Sequence, residues 1–350
     1  MMRTISKIAG LAIASVMALG VATASAQDKK VRIQMQSNFA STLALLGPNA
    51  KYTVDQINKI SGGSIEMKFF EPGALVPPGQ AFDAVSSGAL DAAWATPGFW
   101  TGKDIAFAVY ATVPFGPGMG EYLAWMKEGG GEKMLQELYA KYNIHAVVCH
   151  LIPPEASGWF RKEIATLADL KGLKMRFFGL GANVMQNLGV STQLLQAGEI
   201  FQALQLGTID ATEFSMPVMD LSLGFHQVAK FYYFPGWHQQ ATFGDLIINK
   251  AKWDSLSATQ KSQVEAACDQ TVLKGISVGE SVQPKALKEI ESKGVKLMTW
   301  SPEFLAAFEK EWKVVAAEQA TKSPEFKKAW DSLSKFRDEY KIWRERGYLK

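Results

Sequence analysis

The residue best suited to specific chemistry is an arginine at the end of a short strand. In Leu170-Lys-Gly-Leu-Lys-Met-Arg176, a tight turn at Gly172 leads into a strand over Lys174–Phe177 that delivers Arg176 to its far end, where a helix over Gly179–Asn187 begins. A guanidinium placed there offers a planar fork matching a carboxylate with two parallel hydrogen bonds. Ligands of open α/β sheets also bind at strand ends. The same arginine could equally pair with a nearby surface acid, and chemistry alone leaves the two readings balanced. Other reactive types are less promising. His145, Cys149 and His150 share one predicted strand, whose alternation splits them between faces and argues against a zinc site. There is no Gly-x-Ser-x-Gly elbow, His-Glu-x-x-His pair or phosphate-binding loop, and Gly179-Leu-Gly181 does not complete a dinucleotide fingerprint. A lyase or hydrolase acting on organic acids would need a general base, for which Glu155 and His238 are the candidates. No motif supports an enzyme.

The elements that must position these residues follow from hydrophobic period and punctuation. Val31–Gln36 alternates as a strand, with Asn38 and Ser41 after it where a cleft loop or helix cap would lie. Asn49–Ile60 is an amphipathic helix and Ile65–Phe70 a second strand, followed by the breaking loop Val76-Pro-Pro-Gly79. A helix over Gln80–Ser87, a cap at Gly88 and a strand over Leu90–Trp94 form a unit that recurs. Phe82-Asp-Ala-Val-Ser-Ser-Gly88-Ala-Leu-Asp91-Ala-Ala-Trp94 parallels Phe201-Gln-Ala-Leu-Gln-Leu-Gly207-Thr-Ile-Asp210-Ala-Thr-Glu213. Two copies predict two similarly built α/β lobes facing each other across a cleft, the arrangement of hinge-closing ligand-binding proteins.

The loop Thr96–Gly102 carries Phe99 and Trp100, either a ligand wall or a packed corner. Glu155 lies in the exit loop after the strand ending at His150, and Trp237-His-Gln-Gln leads into Asp245–Asn249, the strand expected to cross between lobes. Helices are expected over Ser257–Leu273, Ser277–Lys293, Pro302–Lys322 and from Pro324 to about Tyr348. The last carries Phe326, Trp330, Leu333, Phe336, Tyr340 and Trp343 at helical spacing, as core or as an oligomer interface.

Met1–Ala26 reads as a signal peptide. It has Arg3 and Lys7 ahead of an apolar run, then Ala24-Ser-Ala26 as the cleavage site, which places the mature protein in the periplasm. The apolar run is short of the about 20 residues that span a bilayer. Loss of Arg3 and Lys7 takes the formal charge of +3 to +1, which leaves no electrostatic footprint for nucleic acid. The length suggests about two domains. Cys149 sits in an apolar strand and Cys268 in the helical Ala266-Ala-Cys. They could pair in an oxidising compartment, but the two settings predict separately buried thiols.

Taken together, Gly158-Trp-Phe-Arg-Lys162, Leu170–Arg176, Gly198-Glu-Ile-Phe-Gln-Ala-Leu204 and Gly207–Glu213 resemble the solute-receptor subunit of TRAP transporters, the tripartite ATP-independent periplasmic systems. The resemblance covers essentially the whole mature chain. Gly102-Lys-Asp104, Val113-Pro-Phe-Gly116, Gly129-Gly-Gly131, Glu213 and the C-terminal helix draw it toward the branch that binds 2-oxo or 2-hydroxy monocarboxylates with a metal ion. It implies a two-lobed periplasmic-binding-protein fold. Lobe I would cover 27–150, completed by about 240–275, and lobe II 151–239, completed by about 285–320, with a C-terminal helix over 324–350 as a dimerisation element. It further implies capture rather than catalysis, and delivery of an acid such as pyruvate or lactate to the small and large membrane subunits.

Arg176 would hold the substrate carboxylate. A cation, Ca²⁺ or Na⁺, would be held by Glu155, the Glu213 carboxylate and the Phe214 carbonyl. Phe99, Trp100 and Phe178 would wall the ligand, and Asn38, His238 and Gln239 would donate to its other oxygens. The chain departs from the branch, where Gln and Trp are usual, at Glu155 and Phe214. A main-chain ligand tolerates Phe, whereas a second carboxylate favours Ca²⁺ over Na⁺. A metal-free receptor for a bulkier acid is the alternative.

Overall fold

The computed structural model describes residues 28–349, so the expected signal peptide and its cleavage after Ala26 lie outside the described residues. The chain begins with β1 (Val31–Ser37), α1 (Leu46–Ile60), β2 (Ile65–Phe70), α2 (Ala81–Ser87) and β3 (Ala92–Ala95). Three helices follow, α3 (Phe107–Ala111), α4 (Met119–Lys127) and α5 (Gly131–Ala140), and then β4 (Ile144–Ile152). The next stretch holds β5 (Gly158–Phe160), β6 (Lys174–Arg176), α6 (Gly181–Asn187), β7 (Ser191–Gln193), α7 (Ala197–Leu206), β8 (Ala211–Thr212), α8 (Pro217–Ser222) and β9 (Phe231–Phe234). The chain ends with β10 (Thr242–Asn249), α9 (Lys250–Asp254), α10 (Ala258–Ser292), β11 (Lys296–Thr299), α11 (Pro302–Lys322) and α12 (Pro324–Arg346).

These strands form two mixed sheets, ordered β2-β1-β3-β10-β4 and β11-β9-β5-β8-β6-β7. The chain passes from the first to the second through 153–157, returns through 235–241, and passes again along α10. Strand β10 itself lies within the first sheet, antiparallel to β3 and β4, so the loop before it makes the crossing expected of the Asp245–Asn249 strand.

The repeated unit is built the same way in both sheets. Gly88 (φ 80) and Gly207 (φ 72) end α2 and α7 in the left-handed region that only glycine adopts without strain. Strand β3 then runs parallel to β1, and β8 parallel to β6. Each repeat aspartate braces that pairing. Asp91 Oδ2 accepts from the Gln34 amide at 2.8 Å, and Asp210 Oδ2 from the Lys174 amide at 3.0 Å.

Two expectations are corrected on α10. It is one continuous helix, not two, capped by a Ser257–Gln260 box. Gly275, in the gap left between the two expected helices, allows close approach to the Leu151 carbonyl, and a Cβ at Gly279 would stand 2.8 Å from the Pro153 ring. This packing along β4 brings Cys268 to Cys149, and the two form a disulfide rather than separate thiols.

Helix α12 lies back on its own chain, burying Phe326, Ala329 and Leu333 against α3, α4 and α5. The buried Glu121 carboxylate receives Arg344 Nη1 at 2.9 and 2.8 Å. The aromatic stripe therefore divides: its first half is core, while Trp343 is 57% exposed and Ile342 64%.

Candidate functional site

The C-terminal ends of the parallel strands and the two connecting segments converge on one place. Strand β6 delivers Arg176, β8 leads into Glu213, Phe214 and Ser215, segment 153–157 carries Glu155, and 235–241 carries His238 and Gln239. From the first sheet come Phe39 after β1 and Thr96 and Phe99 after β3.

Arg176 is 2% exposed and Glu213 fully buried. Arg176 Nη1 donates to Glu213 Oε1 at 2.6 Å and to the Glu213 carbonyl at 2.8 Å, and Nε donates to the Leu195 carbonyl at 3.3 Å. The guanidinium is therefore already anchored through Nε and Nη1. Among the described residues no hydrogen bond is found from Nη2, which leaves that nitrogen for a ligand. The Phe178 amide also donates to Glu213 Oε1, at 2.5 Å, and the guanidinium carbon lies 5.3 Å from the centre of the Phe214 ring.

The other oxygen of Glu213 faces His238 Nε2 at 3.6 Å. Glu155 Oε1 accepts from Ser215 Oγ at 3.0 Å. One ligand atom from each of Glu155, Glu213 and His238 lies within 4.8 Å of the other two, and all three side chains are buried. Glu155 Oε2, Glu213 Oε2 and both His238 ring nitrogens have no hydrogen-bond partner. A separation of that size is about twice a Ca²⁺–oxygen distance of about 2.4 Å, so the orphaned atoms fit a hard cation between them. Burial, and then the Glu213 charge, push the Glu155 carboxyl well above the usual carboxylate range. Burial also acts upward on Glu213, but Arg176 and His238 outweigh it and hold that carboxyl below the usual range.

A cavity of about 30 Å³ adjoins this cluster, lined by Glu155, Arg176, Gln239 and the rings of Phe39, Phe99, Phe178 and Phe214. Phe99 meets Phe178 edge-on at 5.3 Å across the two lobes, and a Cβ at Gly98 would stand 2.1 Å from Cζ of the Phe178 ring. Two expected ligand contacts lie elsewhere. Trp100 packs on Phe82 at 5.3 Å in the core of the first lobe. Asn38 lines an outer chamber of about 380 Å³ with Leu43, Pro78, Ala197 and Leu223. A groove of about 700 Å³ opens where β6 and β8 begin, at the opposite strand ends, and its Asp169 and Asp210 are engaged by backbone amides.

Sequence reasoning missed Ser215, Thr242 and Asp220. Thr242 accepts from Gln239 Nε2 at 2.7 Å, and Asp220 sits buried behind Ser215. The one available signal was a carboxylate in the otherwise apolar Met216–Leu221 stretch.

Two α/β lobes closing on a buried arginine and a carboxylate–histidine cluster define a solute receptor. The chain belongs to the bacterial extracellular solute-binding protein family 7, the DctP family of TRAP receptors, whose model matches residues 37–323. It is similar to a monocarboxylate 2-oxoacid-binding periplasmic protein of Nostoc sp., 32% identical over 89% of this chain and 86% of the relative. A TRAP solute-binding protein from Bordetella bronchiseptica, a dimer of mixed occupancy with copurified calcium and picolinate, is 33% identical with a TM-score of 0.88, over 91% of this chain and 95% of that one. A third, from Pseudoalteromonas atlantica with bound sodium and pyruvate, is 30% identical with a TM-score of 0.86, over 90% and 96%.

Proposed function

We propose that this receptor captures a small 2-oxo or 2-hydroxy monocarboxylate through Arg176 and a cation held by Glu155, Glu213 and the Phe214 carbonyl. The observation that carries the reading is the cluster of orphaned, buried ligand atoms beside the arginine. Charge balance couples the ion to the Glu155 proton. If a divalent cation displaces the proton that burial favours on Glu155, Arg176 with two ionised carboxylates leaves −1, which that cation and a monoanionic acid bring to zero, whereas a monovalent ion balances the site only with Glu155 protonated. When bound, such a cation supplies positive charge and open coordination positions for the acid's carboxylate and 2-oxygen. Arg176 Nη2 orients the carboxylate, Phe99 and Phe178 exclude water, and His238 and Gln239 face the remaining oxygens. Pyruvate, bound by one similar receptor, has this chemistry, and picolinate, bound by another, sets a ring nitrogen beside its carboxylate where pyruvate has the 2-oxygen.

The chain would be exported through its first 26 residues, work in the periplasm, and hand the closed, loaded form to TRAP membrane subunits. The exposed end of α12, with Ile342, Trp343 and Tyr348, would be a self-association surface. The outer chamber favours one alternative, a bulkier acid held without a metal.

Calorimetric titration of dialysed protein with pyruvate and lactate, with and without Ca²⁺, tests the assignment. Binding that requires Ca²⁺ and is lost in Arg176→Ala supports it. Tight binding indifferent to chelator refutes the cation, and binding of larger acids alone refutes the substrate class.

A further inference from the structure

Behind the cluster stands Asp220, 1% exposed and in contact with no proposed ligand atom. Its Oδ1 accepts from the Ser215 amide at 3.1 Å, and its Oδ2 from Trp159 Nε1 at 2.9 Å and Tyr232 Oη at 2.8 Å. Ser215 N–H belongs to the same peptide unit as the Phe214 carbonyl. In a planar trans peptide the two point in opposite directions. The N–H drawn toward Asp220 therefore turns the carbonyl away from it, and among the described residues no hydrogen bond ends on that oxygen. The same residue fixes Glu155 through Ser215 Oγ at 3.0 Å. One buried carboxylate, clamped by an indole and a phenol, thus stands behind two of the three proposed ligands.

We infer that Asp220 is a positioning residue for cation capture, aiming the Phe214 carbonyl and the Ser215–Glu155 pair from behind. The inference rests on the cation reading proposed above. Its logic gives a selective perturbation. In Asp220→Asn the side chain keeps one acceptor oxygen. Turned toward Trp159 and Tyr232 that oxygen keeps both donors and strands only the Ser215 N–H. Turned toward Ser215 it keeps one, and although the NH₂ can then donate to Tyr232 Oη, the Trp159 N–H and the Tyr232 hydroxyl proton both lose their acceptor. The amide therefore faces Ser215 with its NH₂, donor against donor, and the 214–215 peptide loses its anchor. In Trp159→Phe/Asp220→Asn the indole N–H is gone. The oxygen then turns to Ser215 and the NH₂ donates to Tyr232 Oη, so the anchor returns even as a buried tryptophan is lost.

The experiment titrates Ca²⁺ calorimetrically into parent, Asp220→Asn and the double variant at saturating pyruvate. Alongside, it records melting temperatures and Ser215 amide exchange in the cation-free proteins. Asp220→Asn is expected to bind Ca²⁺ about 10–100-fold more weakly, the usual scale for a lost outer partner, with Ser215 exchange accelerated. The double variant is expected to melt lowest and yet regain most of the lost affinity. A purely structural role predicts the reverse, with affinity following stability and the double variant worst. Equal Ca²⁺ affinity in parent and Asp220→Asn, or no recovery in the double variant, overturns the inference alone. A parent that binds no cation refutes the reading beneath it, and the inference with it.

Discussion

Removing Arg176 should cost stability as well as ligand binding, and the stability cost should be recoverable without the binding. The guanidinium is the positive charge compensating Glu213, which is fully buried, and it holds that carboxylate at 2.6 Å. Arg176→Ala leaves a buried carboxylate with the Phe178 amide and His238 as its remaining partners, and it frees the Leu195 carbonyl, while the Glu213 carbonyl keeps Thr212 Oγ1 at 2.7 Å. Breaking a buried pair from one side costs about 3–5 kcal/mol, mainly through the stranded charge. For a chain of this size a urea slope of about 3 kcal/mol/M turns that into a midpoint shift of roughly 1–1.7 M. Adding Glu213→Gln removes the stranded charge, so Arg176→Ala/Glu213→Gln should recover most of the shift at pH 7.5. Neither protein should bind pyruvate. Tryptophan-fluorescence unfolding in urea reads the first quantity and calorimetry the second. An Arg176→Ala protein as stable as the parent, or a double variant no better than the single one, would refute the claim that this pair is a buried charge compensation.

Asp245 offers a pH test away from the site. Burial, only partly offset by Tyr139 Oη at 2.6 Å, pushes its carboxyl up to about 7. Because the folded state holds this proton more tightly than the unfolded chain, stability should fall as pH rises from about 4 to 7 and level off above. The advantage of Asp245→Asn over the parent should grow by about 2–3 kcal/mol between pH 5 and 7.5, from 1.36 kcal/mol per unit, and a pH-independent difference in urea unfolding would sink the argument. Cys149→Ala/Cys268→Ala opens a loop of sequence separation 119 and should lose about 2–5 kcal/mol, read as a midpoint shift under non-reducing conditions. Glu121→Ala should release the end of α12, where Arg344 and Arg337 converge on that carboxylate, and so speed tryptic cleavage at Lys341 and Arg344. Unchanged cleavage would show that apolar packing alone holds the tail.

The features legible in the sequence are those set by local rules. Arg176 at a strand end followed from the short strand after the Gly172 turn, and the repeated helix–glycine–strand unit from the match between Phe82–Trp94 and Phe201–Glu213. What escaped depends on contacts between distant segments. The break expected between Leu273 and Ser277 disappears once β4 is laid against Gly275, and the same packing brings Cys268 to Cys149. An aromatic loop reads alike whether its rings face ligand or core, so Phe99 and Trp100 could not be told apart until Trp100 was seen against Phe82. Ser215 and Asp220 carry no spacing signal, because their role comes from a peptide orientation rather than a motif.

The contact between Gly98 and Phe178 has a consequence for how the receptor holds its cargo. With no room for even a methyl group there, shutting is an all-or-none fit, like a door that closes flush or not at all. A wedge at residue 98 would leave the cation and carboxylate ligands untouched yet hold the door ajar. The apparent affinity would then fall by the fraction of molecules still able to shut. How tightly the receptor grips its acid would thus be set partly by a glycine that offers the acid no side chain.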